Sequence, residues 1–302
     1  MKPIFLLAAW LATVAATATA TAAAGAAISV RDDDAATVTL QQPARRIISL
    51  APHVTELLFA AGGGEHIVGV VSYSDFPEQA KRIANIGDNR QIDLERVIAL
   101  KPDLLVVWRH GSSERQLAQL RALGIPMFHS EPHKLDDIAD SLLRLGKLMG
   151  TEGVARPAAA ALRGQLAALA ARYAGRAPVS MFYQVWDKPL YTLNGAHIVS
   201  DAMRLCGGVN IFAAMKITAP VVGIEAVLQE NPEAIFGSSE KSDPARGINM
   251  WKAFPNVTAV RNANLFTLDG NLLNRAGPRM IEGAAVLCEK LDVARQHRKH
   301  QP

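Results

Sequence analysis

The amino-acid sequence predicts an α/β protein in which two parallel-sheet α/β lobes are joined by a single long rigid helix, with a ligand cleft between the lobes. Three observations predict this fold. Short apolar runs alternate with amphipathic stretches in both halves of the chain, an Ala/Leu-rich helical segment separates the halves, and one sequence phrase recurs in both. Strands that alternate with helices form βαβ units and therefore parallel sheets.

The beginning of the chain, residues 1–27, has the pattern of a signal peptide. Lys2 precedes a short apolar run, 4–14, and small residues before Ala27 offer cleavage sites. The apolar run is too short to cross a bilayer comfortably. No cysteine lies near the cleavage region, which argues against a lipid anchor. We therefore expect an exported protein.

The first lobe is expected over residues 44–150. Its predicted strands are the apolar runs 47–50, 67–70, 104–108 and 125–128. Local signals bound the helices between them. Pro52 and Gly62 bracket one helix, and Asp93 caps a second. Ser113 and Gln116 form a capping box for a third.

The linking helix is predicted over residues 151–175, where leucines recur at helical spacing and alanines fill most other positions. A helix of about 20 residues is roughly 30 Å long. Gly175 and Pro178 end it. The second lobe is expected over 178–293, with predicted strands at 179–185, 234–237 and 264–268.

A repeated phrase indicates that the two lobes share one plan. The stretch 93–103 has a partner at 223–233. Glu95 coincides with Glu225, and Pro102, which ends the first helix, coincides with Pro232. We expect each glutamate near the start of a short helix, where helix-dipole support alone is worth about 0.3–1 kcal/mol.

The loops that follow the predicted strands are the candidate binding loops, because parallel α/β lobes bind ligands beyond the carboxyl ends of their strands. Aromatic and polar residues concentrate there, although aromatics make up only 6% of the chain. The candidates are Tyr73, Trp108 and Arg109 in the first lobe, and Trp186, Tyr191, Asp269, Asn271 and Arg275 in the second. Aromatic rings suit a large planar molecule, and arginine suits carboxylate or phosphate. The alternative is that each aromatic fills the core of its own lobe.

Several function classes lack support in the sequence. The net charge of +4 comes without a basic cluster in the body of the chain, so we expect no nucleic-acid partner. There is no nucleophile elbow, phosphate loop or H-E-x-x-H motif, and the eight histidines match no zinc spacing. We expect no catalytic residues, no metal site and no cofactor. A periplasmic hydrolase that uses the cleft is kept as the alternative of another class.

The two cysteines, Cys206 and Cys288, are predicted to form a disulfide, because an even cysteine count in an exported protein favours one. We expect Cys206 to end a helix and Cys288 to lie in the last helix.

Specific phrases from Arg46 to Leu291 resemble the helical-backbone (class III) solute-binding proteins of ABC importers, which include cobalamin, haem and siderophore receptors. The phrases are S-L-A-P-H-V-T-E-L (49–57), V-S-Y-S-D-F-P (71–77), D-L-E-R (93–96), L-K-P-D-L (100–104), W-R (108–109), C-G-G-V-N-I-F (206–212) and N-R-A-G-P-R (274–279). Together they favour the cobalamin branch of the family.

The resemblance implies a periplasmic receptor that captures cobalamin or a related corrinoid and delivers it to an inner-membrane ABC transporter. Tyr73 and Trp108 match the family's corrin-packing aromatics, and Arg275 with Asp269 or Asn271 matches its polar second-lobe wall. Glu95 and Glu225 match the glutamates that dock on the permease subunits, and the two cysteines match the family disulfide.

The sequence departs from the cobalamin branch at two positions. Asn89 and Ala219 stand where that branch has tryptophans, and Trp186 and Tyr191 are candidates to compensate. A receptor for haem or a ferric siderophore therefore remains the alternative within the binding class. We expect a monomer.

Overall fold

The computed structural model describes residues 27–239 and 247–299. The predicted signal peptide, except for Ala27, lies outside the described residues. None of the helices in these two ranges is long and apolar enough to span a membrane.

The first lobe is a parallel sheet preceded by an antiparallel hairpin. The hairpin strands are β1 (Ile28–Arg31) and β2 (Thr37–Leu40), and the sheet strands are β3 (Ile47–Ser49), β4 (Ile67–Val70), β5 (Leu104–Val107) and β6 (Met127–His129). The sheet order is β4-β3-β5-β6, with every pair parallel. The helices of this lobe are α1 (Pro52–Ala60), α2 (Leu94–Ala99), α3 (Glu114–Arg121) and α4 (Leu135–Met149). The hairpin was not predicted from the sequence, and its first strand packs on α4.

The predicted helix signals are present in the first lobe. Pro52 is the first residue of α1. The Asp93 carboxylate accepts a hydrogen bond from the Arg96 N–H at 2.9 Å and so caps α2. Ser113 and Gln116 form both bonds of the capping box at the start of α3. These local polar contacts satisfy amide groups that a helix leaves unpaired at its beginning.

The predicted long helix is α5 (Glu152–Tyr173), which has 22 residues. It packs on α4 and α1 of the first lobe and on two helices of the second lobe, which fits a connecting element. The structure adds a close partner, α4, which ends at Gly150 in the left-handed conformation. A Cβ at Gly146 would lie 2.3 Å from the Ala155 Cβ. Glycine at this position therefore permits the close approach of α4 and α5.

The second lobe repeats the plan of the first. Its strands are β7 (Val179–Gln184), β8 (Trp186–Asp187), β9 (Leu190–Tyr191), β10 (Gly208–Asn210), β11 (Ala234–Ser239) and β12 (Leu265–Asp269). Its helices are α6 (Ile198–Leu205), α7 (Ile224–Glu230), α8 (Thr258–Arg261), α9 (Gly270–Leu273) and α10 (Met280–Lys299). The parallel sheet has the order β10-β7-β11-β12. In both lobes the first strand lies between the second and the third, which confirms the related plan.

The predicted disulfide between Cys206 and Cys288 is confirmed. Cys206 is the C-terminal cap of α6, and Cys288 lies in α10, as expected. Both residues are fully buried in the core cluster that runs through the two lobes.

Candidate functional site

The candidate site is the cleft between the lobes at the carboxyl ends of the sheet strands. A small cavity of about 40 Å³ marks its floor. Residues of both lobes line this floor cavity, including His53, Trp108, His110, Glu131 and His133 from the first lobe and His197, Thr218, Asn274 and Ala276 from the second. The cleft therefore has polar and aromatic groups on both sides.

Trp108 follows β5 and forms part of the cleft floor. Its half-buried ring meets the His53 ring edge to face, with the ring centroids 5.5 Å apart. A Cβ at Gly111 would lie 2.0 Å from the Trp108 ring, so the turn closes over the indole only because residue 111 is glycine. This packing holds the indole at the cleft.

Arg109 is turned toward the N-terminal hairpin. Its Nη1 lies 3.2 Å from the Asp34 carboxylate. Burial would raise the pKa of Asp34, but the hydrogen bonds and charges of Arg109 and His129 outweigh burial and lower that pKa. The guanidinium is thus already paired with a carboxylate, and the predicted contact of Arg109 with a ligand stays a prediction.

Tyr73 follows β4 and is the most exposed large hydrophobic side chain in the described residues, with 79% of its surface accessible. Its φ of 67° lies in the left-handed region, which is uncommon for a residue with a side chain. Such backbone strain is found at functional loops, where it presents a side chain. The Asp75 N–H bonds the Tyr73 carbonyl at 3.0 Å and tightens this turn.

The second lobe presents aromatics on the small β8–β9 hairpin beyond β7. Trp186 and Tyr191 pair across it, and Trp186 is 50% exposed. The Trp186 indole N–H donates to the Lys188 carbonyl at 3.0 Å, which orients the ring. Tyr191 also bridges to Val221. The hairpin is therefore tied to the 213–221 loop.

Two apolar residues of the 213–221 loop were missed from the sequence. Ile217 is 66% exposed and Val221 is 55% exposed. They belong to the same loop as Ala219. By the family resemblance, Ala219 stands where the cobalamin branch has a tryptophan. The strand that precedes this loop, β10, was not predicted from the sequence. A single apolar loop residue is common on protein surfaces, so the sequence alone did not single out these two residues.

Arg275 crosses the cleft and contacts the first lobe. Its Nη1 lies 2.7 Å from the Asp75 carboxylate and 3.4 Å from that of Glu56. Burial would raise the pKa of Asp75, but the hydrogen bond and charge of Arg275 lower it instead. Arg279 adds a second link to Glu56. The roles of Glu56 and Arg279 were missed, although both lie in phrases that carry the family resemblance.

Asp269 and Asn271 lie at the carboxyl end of β12. The exposed Asp269 accepts a hydrogen bond from the Asn271 N–H at 2.9 Å and caps the short helix α9. Asn271 is half-buried. Both residues therefore lie in the segment that leads to Arg275.

Two histidines of the floor cavity are held neutral. Burial lowers the pKa of His53 to about 4 and that of His197 to about 4. The charges of His133 and His110 lower the pKa of His197 further. Within residues 27–239 and 247–299, no group of three metal-ligating side chains is arranged to hold an ion.

Glu95 and Glu225 occupy equivalent positions in the two lobes. Each lies in the first turn of its helix, Glu95 in α2 and Glu225 in α7, and both are exposed. In the described part of the chain neither glutamate has an ion-pair partner. The exposed carboxylates are thus available to a partner.

These elements define a class of protein, a two-lobe receptor with a binding cleft at the facing ends of two parallel sheets. The periplasmic binding protein family model matches residues 47–272, and the chain belongs to this family. It is 40% identical to the vitamin B12-binding protein of Vibrio cholerae serotype O1 (strain ATCC 39541) over 84% of this chain and 91% of the relative. Identity to the vitamin B12-binding protein of Yersinia pestis (strain Pestoides F) is 38% over 83% of this chain and 87% of the relative.

Solved structures agree with this assignment. The crystal structure of the periplasmic vitamin B12 binding protein of Vibrio cholerae superposes with a TM-score of 0.79, covering 84% of this chain and 99% of that one at 40% identity. The periplasmic heme-binding protein of Roseiflexus sp. RS-1 superposes with a TM-score of 0.71, covering 83% and 99% of the two chains at 25% identity.

Proposed function

We propose that this protein captures cobalamin or a related corrinoid and delivers it to the membrane subunits of an ABC importer. The observation that carries the proposal is the pair of exposed aromatic surfaces at the carboxyl ends of the two sheets. Tyr73 belongs to the first surface and Trp186 to the second, and they are 79% and 50% exposed. A flat macrocycle between two lobes buries such rings, and each ring contact adds about 0.5–1.5 kcal/mol. The relatives named vitamin B12-binding proteins support this choice of ligand.

The proposed ligand contacts are divided between the lobes. Apolar contacts come from Tyr73, Trp108, Trp186 and Tyr191, and polar contacts come from Arg109, Asp269, Asn271 and Arg275. Ile217 and Val221 extend the apolar surface of the second lobe at the position where an aromatic is lacking.

The proposed setting is the periplasm, after removal of an N-terminal signal peptide. The proposed partners are the permease subunits of an inner-membrane ABC importer, which Glu95 and Glu225 contact, and the protein acts as a monomer. It is a receptor and not an enzyme, since its relatives are named as binding proteins.

Haem is the second candidate ligand, favoured by the likeness to a periplasmic heme-binding protein. Haem carries two carboxylates, which require uncompensated cations. Arg275 faces Glu56 and Asp75, and Arg109 faces Asp34. Because carboxylates already compensate these two arginines, the cleft suits a ligand with neutral polar groups better than haem or an anionic siderophore.

Titration calorimetry of the mature protein tests the proposal with cyanocobalamin, dicyanocobinamide and haemin. We expect a corrinoid to bind at micromolar concentration or below, and haemin to bind more weakly. Trp186→Ala should weaken corrinoid binding by about two- to twelvefold, while Trp186→Phe keeps most of the affinity. Failure of both corrinoids to bind, with haemin bound, would reverse the assignment.

A further inference from the structure

The floor cavity contains a hydrogen-bond acceptor without a protein partner. His53 is 5% exposed, and among the described residues no group bonds its Nε2. Burial lowers the pKa of His53, and a main-chain hydrogen bond to Ser130 opposes that shift. Because Nε2 has no partner among the described residues, we assign this bond to the other nitrogen, Nδ1. A main-chain carbonyl accepts that bond, so the hydrogen sits on Nδ1 and Nε2 keeps a lone pair. A buried acceptor of this kind destabilises the protein while it stays unpaired.

The second lobe supplies a donor to the same cavity. His197 Nδ1 accepts a hydrogen bond from the Val199 N–H at 3.1 Å, which requires Nδ1 to lack a hydrogen. In the neutral ring the hydrogen therefore sits on Nε2, which can donate to a group in the cavity. The low pKa of both rings, about 4, keeps them neutral at physiological pH.

We propose that the floor cavity is a subsite for one propionamide arm of the bound ligand, through its terminal carboxamide. A carboxamide has an N–H for His53 Nε2 and a carbonyl oxygen for His197 Nε2–H, so one group satisfies both rings. Corrinoids carry carboxamide arms around the macrocycle. The subsite rests on the proposed function and sharpens it, because it selects ligands by the chemistry of their arms.

The size of the cavity fits such an arm. A water molecule needs roughly 10–15 Å³ of cavity space of this kind, and the floor cavity has about 40 Å³. It has room for about three water molecules by this measure, which matches a group of a few non-hydrogen atoms.

A carboxylate arm is disfavoured in the same place. It would turn an oxygen toward the lone pair of His53, and Glu131 adds a carboxylate to the cavity wall. His110 lies 3.1 Å from Glu131 and is directed to that carboxylate. Arg275 is near enough to lower the pKa of His53, but Asp75 and Glu56 compensate its charge. The cavity therefore distinguishes an amide from the acid that differs from it by one group.

The ligand side provides the sharper test and uses the wild-type protein. Cyanocobalamin is compared by calorimetry at pH 7.5 with its three monocarboxylic acids, in each of which one propionamide arm has become a propionic acid. We expect one isomer to bind at least tenfold more weakly than cyanocobalamin and the others to bind within threefold. Equal affinity for all four ligands would overturn the subsite.

The protein side uses matched variants of His53. His53→Leu removes the acceptor and should weaken cyanocobalamin binding by about five- to twentyfold, whereas His53→Gln retains an acceptor oxygen and should stay within about threefold. Thermal melts show whether each variant folds. Unchanged affinity in a folded His53→Leu variant, with wild-type protein binding cyanocobalamin, would overturn the subsite alone. Absence of cyanocobalamin binding by wild-type protein would instead overturn the proposed function, and the subsite with it.

Discussion

Arg279 and Glu56 join the two lobes through a bidentate ion pair. Arg279 Nε donates to Glu56 Oε2 at 3.0 Å, and Nη2 donates to Oε1 at 2.6 Å. Glu56 is 3% exposed and lies in α1, whereas Arg279 immediately precedes α10. The Phe76 ring lies 3.9 Å from the Arg279 guanidinium on the other side. The lobes cannot separate here without leaving buried charges unpaired, which is costly.

The first prediction is that Glu56→Gln lowers the free energy of unfolding by about 3–5 kcal/mol, since removal of one partner of a buried pair leaves the other charge uncompensated. Urea denaturation of the ligand-free protein measures this. The matched control is Asp136→Asn, which breaks an ion pair with Arg163 whose side chains are 52% and 40% exposed. That change should cost no more than about 1 kcal/mol. Equal effects of the two substitutions would contradict a structural role of the cross-lobe pair.

Most of the fold could be predicted from the sequence because its signals are local. Apolar runs predicted β3 to β6, and the side chains of Asp93 and Ser113 predicted where α2 and α3 begin. The β1–β2 hairpin was missed because its stability depends on distant contacts. Asp33 supplies one of them, since its carboxylate accepts a hydrogen bond from Arg144 Nη2 at 2.6 Å. No sequence pattern within the hairpin predicts a partner more than 100 positions away.

The candidate site was predictable by position but not by pairing. Chain order places Tyr73, Trp108 and Trp186 after strands, and that is enough to put them at the carboxyl ends of the sheets. The sequence did not reveal that Arg275 faces Asp75, which lies 200 positions earlier. It also did not reveal the tautomer of His197, which depends on a hydrogen bond in the folded chain.

The second prediction concerns acid stability. An ordinary histidine has a pKa of 6.5, which applies to His53 in the unfolded chain, and burial lowers the pKa of His53 to about 4 in the folded protein. The unfolded chain therefore binds the proton more strongly. The contribution of His53 to stability is therefore complete above about pH 6.5 and declines as the pH falls toward 4, by up to about 3 kcal/mol. His53→Leu should flatten this part of the profile in urea denaturation between pH 7 and 4.

The control for the acid profile is His133→Asn, which changes an exposed histidine of the same cavity. This variant leaves His53 in place, so it should keep the part of the slope between pH 7 and 4 that His53 supplies. If His53→Leu and wild-type protein lose stability in parallel, the buried histidine is not the source of the slope.

The third prediction concerns the disulfide between Cys206 and Cys288, which closes a loop with a sequence separation of 82. The double substitution Cys206→Ser and Cys288→Ser should lower the free energy of unfolding by about 2–5 kcal/mol, because the unfolded chain regains the freedom that the cross-link removed. Reduced wild-type protein should match the variant in urea denaturation. The variant has no disulfide to reduce. If a reductant lowers its free energy of unfolding as much as that of wild-type protein, the loss of stability does not come from the disulfide.

The fourth prediction concerns docking on the importer. Glu95 and Glu225 are exposed first-turn residues of equivalent helices, one in each lobe. One exposed ion pair is worth only about 0–1 kcal/mol, but two carboxylates held at a fixed separation gain from effective concentration. The helix α5 and the pair of Glu56 with Arg279 hold that separation. Glu95→Arg or Glu225→Arg should therefore abolish uptake of labelled cyanocobalamin into proteoliposomes that contain the cognate importer.

The same charge reversals should leave calorimetric affinity for cyanocobalamin within about threefold, or 0.7 kcal/mol, because neither glutamate lines the floor cavity. Glu114→Arg is the matched control, since Glu114 is also an exposed first-turn residue, in α3. Glu114→Arg changes the net charge by the same amount as each of the other reversals. Glu114 does not belong to the proposed docking pair, so this variant should preserve uptake. If Glu114→Arg abolishes uptake equally, the loss reflects overall charge. If the double variant of Glu95 and Glu225 still supports transport, these glutamates only stabilise the beginnings of their helices.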